Sequence, residues 1–395
     1  MHKKLMAVAV AGALAAPAVA LAQVQIYGQM TYEYGIASQG NAPGGAARPS
    51  VDYADTPGGI AIGFRGEEKL AGGMSAWFQC ESSADIRGMD QTGFCTRNSA
   101  VGFKGGFGNI HFGRWDTPMK RALNAGSVGA EETGLLGMSF LPFGGSGGAD
   151  ATNSADTVQR QRWKRREAGL TYYESPTFSG FQVLGAFSSG NAAADNAVVD
   201  TAVNQKPRVL SLAATWGTGP LQIGLGYEVH QQFGFYAPVS TVDADDTAFG
   251  LGVSYTFGPI KLGLTYLDSE YETNPGQTLK KKTTTVGLDW KISGPHNLEA
   301  QYAMADDVSG NSTVGIGGNG GSAAPVQGGV NVSDTGGTAM SIAYRYDFSK
   351  RTSIKLGYVS VSNDDNTSAY RIGNTASVAN GENSSAYAFH IRHRF

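Results

Sequence analysis

Five bases, Arg160, Arg162, Lys164, Arg165 and Arg166, fall within seven residues. They close a stretch of about fifty residues that also carries Asp116, Glu131, Glu132, Asp150 and Asp156. Held across a narrow aqueous gap, charges of both signs would sort passing ions by sign. Taken alone, the run reads equally as a solvated basic loop end near acidic lipid head groups. Groups that could make or break bonds are poorly placed. Residues 144–148 read Gly-Gly-Ser-Gly-Gly, the pattern of a nucleophile elbow, and Gly315, Gly317 and Gly320 have dinucleotide-loop spacing. Each pattern needs a strand, a tight turn and a helix, and no helical periodicity follows either one. His111, His230, His296, His390 and His393 lack metal-ligand spacing. No enzyme, metal site or cofactor is therefore expected.

The segments that must hold this loop repeat with period two. Leu221, Ile223, Leu225 and Tyr227 alternate with Gln222, Gly224 and Gly226, and Ile260, Leu262, Leu264 and Tyr266 alternate with Lys261, Gly263 and Thr265. One face is oily and the other small or polar. The pattern returns at Phe249–Phe257, Val286–Trp290, Leu298–Met304, Met340–Phe348, Ile354–Tyr358 and Tyr387–Phe395, and in the first half near 24–34, 58–66, 74–81, 97–104, 107–115, 166–174, 180–189 and 208–217. That makes sixteen strands. Their connections alternate between short ones, at 68–73, 105–108, 175–179, 217–220, 258–259, 293–296 and 349–351, and long ones. A soluble sandwich would need a second oily surface for its core; a membrane barrel needs oil outside and water inside. Aromatic residues near strand ends, among them Trp216, Phe257, Trp290 and Phe348, fit interfacial girdles. The fold class expected is all-β, a 16-stranded antiparallel transmembrane β-barrel. Sixteen tilted strands close into a cylinder roughly 30 Å across, too wide for side chains alone to fill.

Composition agrees. Glycine supplies 56 of 395 residues, charged residues are 16% and the formal charge is −3, a turn-rich, helix-poor balance with nothing that suggests nucleic acid. Residues 1–22 begin with a basic stub, continue apolar and end in Ala20-Leu21-Ala22, which reads as a cleaved export signal before a barrel of residues 23–395. No later stretch is long enough for a spanning helix. Cys80 and Cys95 are placed near the outer ends of adjacent antiparallel strands of an exported chain, so they are expected to form a disulfide with Cα atoms about 4.4–6.8 Å apart. Parity puts Arg65 in the lumen opposite Ile60, Ile62 and Phe64, and puts Arg166 there with Ala168. Arg114 would face lipid, at a cost of a few kcal/mol, unless a bulge at Gly113 turns it inward.

Over essentially the whole mature chain the sequence resembles the Gram-negative trimeric porins of β-proteobacterial type. The resemblance rests on Val24-Gln25-Ile26-Tyr27-Gly28, on Ile62-Gly63-Phe64-Arg65-Gly66-Glu67-Glu68-Lys69-Leu70, and on Gly102-Phe103-Lys104-Gly105-Gly106-Phe107-Gly108-Asn109. Gly113-Arg114-Trp115-Asp116-Thr117-Pro118, Trp163-Lys164-Arg165-Arg166, Ser175-Pro176 and the ending Arg392-His393-Arg394-Phe395 complete it. It implies an outer-membrane homotrimer in contact with lipid and lipopolysaccharide, passing small hydrophilic solutes and ions by diffusion. It also implies a third loop folded inward, with Arg65, Arg97, Arg114 and Arg166 as wall bases. The constriction set is then those four with Arg160, Arg162 and Arg165, facing Asp116, Glu131 and Glu132; bases outnumber acids, so anions should be preferred. The final strand, with Tyr387, Phe389, Ile391 and Phe395 in phase, is implied to be the signal read by the barrel-assembly machinery. Two alternatives are a barrel enzyme, which needs a Ser, a His and a carboxylate on one rim, and a gated transporter, which needs a plug domain before the first strand.

Overall fold

The computed structural model describes residues 24–42, 44–55, 61–83, 86, 93–129, 134–137, 163–188, 207–232, 245–274, 276–312, 333–368, 370–372 and 378–395. In chain order the strands are β1 (Gln25–Ser38), β2 (Val51–Asp55), β3 (Ala61–Lys69), β4 (Ser75–Ser83), β5 (Ser99–Gly105), β6 (Gly108–Asp116), β7 (Arg166–Glu174), β8 (Phe181–Ser188) and β9 (Arg208–Thr218). They continue as β10 (Leu221–Gln231), β11 (Asp246–Phe257), β12 (Ile260–Asn274), β13 (Gln277–Ser293), β14 (His296–Ala305), β15 (Ser309–Gly310), β16 (Gly337–Asp347), β17 (Thr352–Asn363) and β18 (Ser384–Arg394). All belong to one antiparallel sheet. It closes on itself where β1 pairs with β18, from Gln29↔Arg394 to Ser38↔Ser385. β2 and β3 run in succession along β1, and β15 continues β14 along β13. The wall therefore has the sixteen strands that the alternation predicts.

Alternation also decides which face meets which solvent. Leu225 and Tyr227 are 43% and 46% exposed on the outside, while the intervening Gly224 and Gly226 face inward against helix residues Ala122 and Met119. Polar side chains such as Thr31, Glu33, Thr265 and Glu299 are buried on the inner side. A soluble protein would hide the outer band; hydrocarbon accepts it.

The apolar clusters lie inside the cylinder, where the long loop touches the wall. Leu135 and Leu136 pack on Ala37, Ala339 and Ala386. Met119, Leu123 and Trp163 pack on Leu267, Tyr271 and Leu279, and Ala122 packs on Leu170 and Leu184. The described parts of the loop thus run along the inner wall. The loop begins with helix α1 (Pro118–Asn124), where the Thr117 side chain accepts the Lys120 N–H and Pro118 takes a position that needs no N–H partner.

Four inward glycines make room for it. A side chain at Gly224 or Gly252 would overlap the Ala122 carbonyl, at Gly263 the Gly126 carbonyl, and at Gly287 the Val128 carbonyl. Loop backbone therefore crosses β10, β11, β12 and β13 at near-contact distance. Polar ties fix its height: the Met119 N–H donates to Ser211 Oγ at 3.0 Å, Gln301 donates to the Val128 carbonyl at 3.2 Å, and the Leu135 N–H donates to the buried carboxylate of Glu33.

Cys80 and Cys95 are bonded, with Cα atoms 4.8 Å apart, as expected. Cys80 shares outward parity with Phe78, and the Phe94 ring stands 6.3 Å from that of Phe64. The bridge therefore clips the base of the second outer loop on the oily side of the wall. Maleimide labelling of unfolded, unreduced protein should modify no thiol and, after reduction, two; stoichiometric labelling without reductant would contradict the bond.

Candidate pore constriction

Charged side chains from β3, β4, β6 and β7, from the segment just before β5 and from α1 converge beside the loop. Tyr27 on β1 and Glu81 on β4 both project inward, and the Tyr27 hydroxyl donates to Glu81 Oε2 at 3.1 Å. The Arg65 guanidinium lies 4.9 Å from the Tyr27 ring centre, a cation–π arrangement, and its Nε donates to Gln25 Oε1 at 2.9 Å. Arg97 Nε is 2.6 Å from Glu81 Oε1.

A second knot adjoins the first. Asp116 Oδ1 is 3.2 Å from Arg166 and 3.1 Å from Lys120, while Asn98 accepts from Arg166 Nε at 2.6 Å and donates to Asp116 Oδ2 at 3.1 Å. The charges of Arg97, Arg114 and Glu81 all act on Arg166, so the two knots form one field. The register between β6 and β7 shifts between Gly113 and Trp115, with Gly113 at φ 150°. That is the bulge expected at Arg114. Among the described residues five bases, Arg65, Arg97, Arg114, Lys120 and Arg166, face two carboxylates, Glu81 and Asp116. Bonds among neighbours hold these long side chains in place, and a low-dielectric wall around water focuses their excess positive charge.

Arg65, Arg97, Arg114, Asp116 and Arg166 are thus brought together. Arg165 is not. It is 2% exposed, its Nη2 lies 2.8 Å from the Glu167 carboxylate, and its carbonyl accepts the Thr117 N–H at 3.1 Å beneath the start of α1. Successive residues of an extended chain point to opposite sides, so a run of bases cannot share one face: Lys164 turns to Ser127 Oγ at 3.0 Å and Arg166 to Asp116. Glu131, Glu132, Arg160 and Arg162 lie outside the described residues. Tyr27, Glu81, Asn98 and Lys120 escaped the sequence reading. For Lys120 a signal was present, since Thr117-Pro118 marks a helix start and Asp116 precedes Lys120 by four residues. At the other end of the chain Tyr387, Phe389, Ile391 and Phe395 all project to the oily exterior.

Among the described residues no group of histidine, cysteine or carboxylate side chains is placed to hold a metal. The profile of a family described as Gram-negative porin matches residues 7–366. A major outer membrane protein P.IB of Neisseria sicca is 28% identical over 60% of this chain, which spans 57% of that protein. An outer membrane porin protein of Bordetella pertussis is 28% identical over 75% of each chain. The solved anion-selective porin from Comamonas acidovorans superposes with a TM-score of 0.72 over 95% of this chain and 100% of its own, at 22% identity.

Proposed function

Because the chain belongs to the Gram-negative porin family, we propose that its barrel is a water-filled outer-membrane channel through which small hydrophilic solutes and ions diffuse, with anions preferred. The observation that carries the preference is the excess of bases among the described residues of the constriction: Arg65, Arg97, Arg114, Lys120 and Arg166 against Glu81 and Asp116. The formal charge of the whole chain, −3, does not weigh against it. A Debye length of about 8 Å at physiological salt hides distant loop charges from an ion in the gap, whereas charges lining that gap act at close range. The anion selectivity named for the Comamonas acidovorans protein supports the same reading. An export signal in residues 1–22, assembly as a homotrimer, contact with lipopolysaccharide and delivery by the barrel-assembly machinery belong to this proposal through the family.

The test is the reversal potential of the purified protein in a planar bilayer under a salt gradient. The sign should be that of anion selectivity, and Arg166→Ala should lower the anion-to-cation permeability ratio about twofold by removing one charge from a focused field. A potential of the cation-selective sign would overturn the preference, and no conductance at all would overturn the channel.

A further inference from the structure

One row across the wall organises the first knot of the constriction. Tyr27 on β1 stands opposite Gly63 on β3, and Gly63 stands opposite Glu81 on β4. Tyrosine and glutamate are thus two strands apart, about 9–10 Å at the usual strand spacing. The missing side chain at Gly63 makes that distance passable. A Cβ there would fall 2.3 Å from Tyr27 Cζ and 2.5 Å from its hydroxyl oxygen, so the phenol lies across the β3 backbone and reaches Glu81 Oε2 at 3.1 Å.

Glu81 is therefore claimed twice, by Arg97 Nε at 2.6 Å on Oε1 and by the phenol on Oε2. The hydroxyl satisfies the second oxygen without bringing a charge to it. Arg65 lies two residues beyond Gly63 on the same face of β3, opposite Gln79 and hence diagonal to Glu81. Side chains at such diagonal positions are about 7–8 Å apart at their base, a gap that an arginine spans. Among the described residues Arg65 nevertheless forms no ion pair. Its guanidinium rests 4.9 Å from the Tyr27 ring centre and its Nε donates to Gln25.

We infer that Tyr27 is a positioning residue for ion selection: its hydroxyl occupies Glu81 while its ring carries Arg65, so that the guanidinium faces passing anions instead of being neutralised at the wall. The inference rests on the channel reading and names the group that sets its preference. A carboxylate favours charged N–H donors, because charge-assisted bonds are roughly twice as strong as neutral ones. Without the hydroxyl, Glu81 Oε2 draws in Arg65 along the diagonal. The summed charge of the constriction does not change, but its place does. A guanidinium bonded to a carboxylate at the wall offers a passing anion neither free N–H groups nor an uncompensated field. Gly63 belongs to the same device, since any side chain there blocks the path of the phenol.

Reversal potentials of the purified protein in planar bilayers under a salt gradient test it. Tyr27→Phe keeps the ring and loses the hydroxyl, and its anion-to-cation permeability ratio should fall about 1.5-fold. Tyr27→Leu loses the ring as well, and the fall should reach about twofold. Gly63→Ala should match Tyr27→Phe, because its methyl group displaces the phenol. Glu81→Gln removes the carboxylate that would capture Arg65, so adding Tyr27→Phe to it should lower the ratio no further; this double-mutant cycle separates positioning from a merely structural role. Heat-modifiable migration on a gel confirms that each variant is assembled, and if Tyr27→Leu is not, Tyr27→Phe decides. An unchanged ratio in Tyr27→Phe, or an equal fall with and without Glu81→Gln, would overturn the inference alone. A wild-type channel without anion preference would overturn the reading beneath it, and the inference with it.

Discussion

Deleting Phe395 is expected to reduce assembled barrel in the outer membrane by more than tenfold and to leave protease-sensitive chain in the periplasm. The closing seam ends at this residue: the Phe395 N–H donates to the Gly28 carbonyl at 3.0 Å, and the Phe395 backbone oxygen accepts the Gly28 N–H at 3.2 Å. Its ring covers Gly28 on the outer face, the position a Gly28 side chain would need. Without the residue, the end of β1 exposes polar backbone where lipid begins, and each unpaired group in hydrocarbon costs several kcal/mol. An unclosed edge is also a template for aggregation. Phe395→Ala keeps the backbone bonds and loses only the ring, so it separates closure from recognition of the ring during assembly. If the deletion yields normal amounts of heat-modifiable protein, the seam does not depend on its last residue.

Gly287→Leu should release the loop from the wall. A side chain there meets the Val128 carbonyl rather than a flexible neighbour, so the backbone of residues 126–129 must move away or β13 must bend. The wall is tied on both sides by continuous pairing, and the loop is the softer partner. Single-channel conductance should rise about twofold and ion selectivity should fall, because the opposing charges separate and a wider gap lets water screen them. Gly185→Ala is the control: a side chain there meets only Leu212 Cδ2, at 3.4 Å, and conductance should not change. Unaltered conductance in Gly287→Leu would show that the loop does not set the bore.

The barrel was legible wherever lipid disciplines the sequence. β10, β11 and β12 alternate cleanly because hydrocarbon demands an oily residue at every second position. Where the wall leaves the membrane the signal fades: β13 starts at Gln277, but alternation marks it only from Val286, since Lys280 and Lys282 on its outer face stand in water and need no oily side chain there. β2 is five residues long and gives too little pattern to find. Glycines opposite the oily residues read as merely small; only the loop backbone above them explains why they carry no side chain. The candidate constriction was half legible. Arg65 followed from parity and Arg114 from the penalty of a charge in lipid, but partners such as Glu81 and Asn98 come from folding in three dimensions. Arg165 stands apart from the other bases, paired with Glu167, because a cluster along the chain is not a cluster in space.

The outer half of the β12–β13 pair has a consequence at the cell surface. β12 runs fifteen residues, about 50 Å of strand, against an apolar band of about 25 Å. Beyond Tyr266 its exposed side chains are charged and matched across the pair: Glu270 stands 2.9 Å from Lys280, and Asp268 stands 3.8 Å from Lys282. A paired ribbon with its charges laddered outward is a firm, water-facing epitope. An antibody recognising that ladder would count folded barrels on intact bacteria, since the four residues come together only when both strands are in register, and it would do so without entering the conduit.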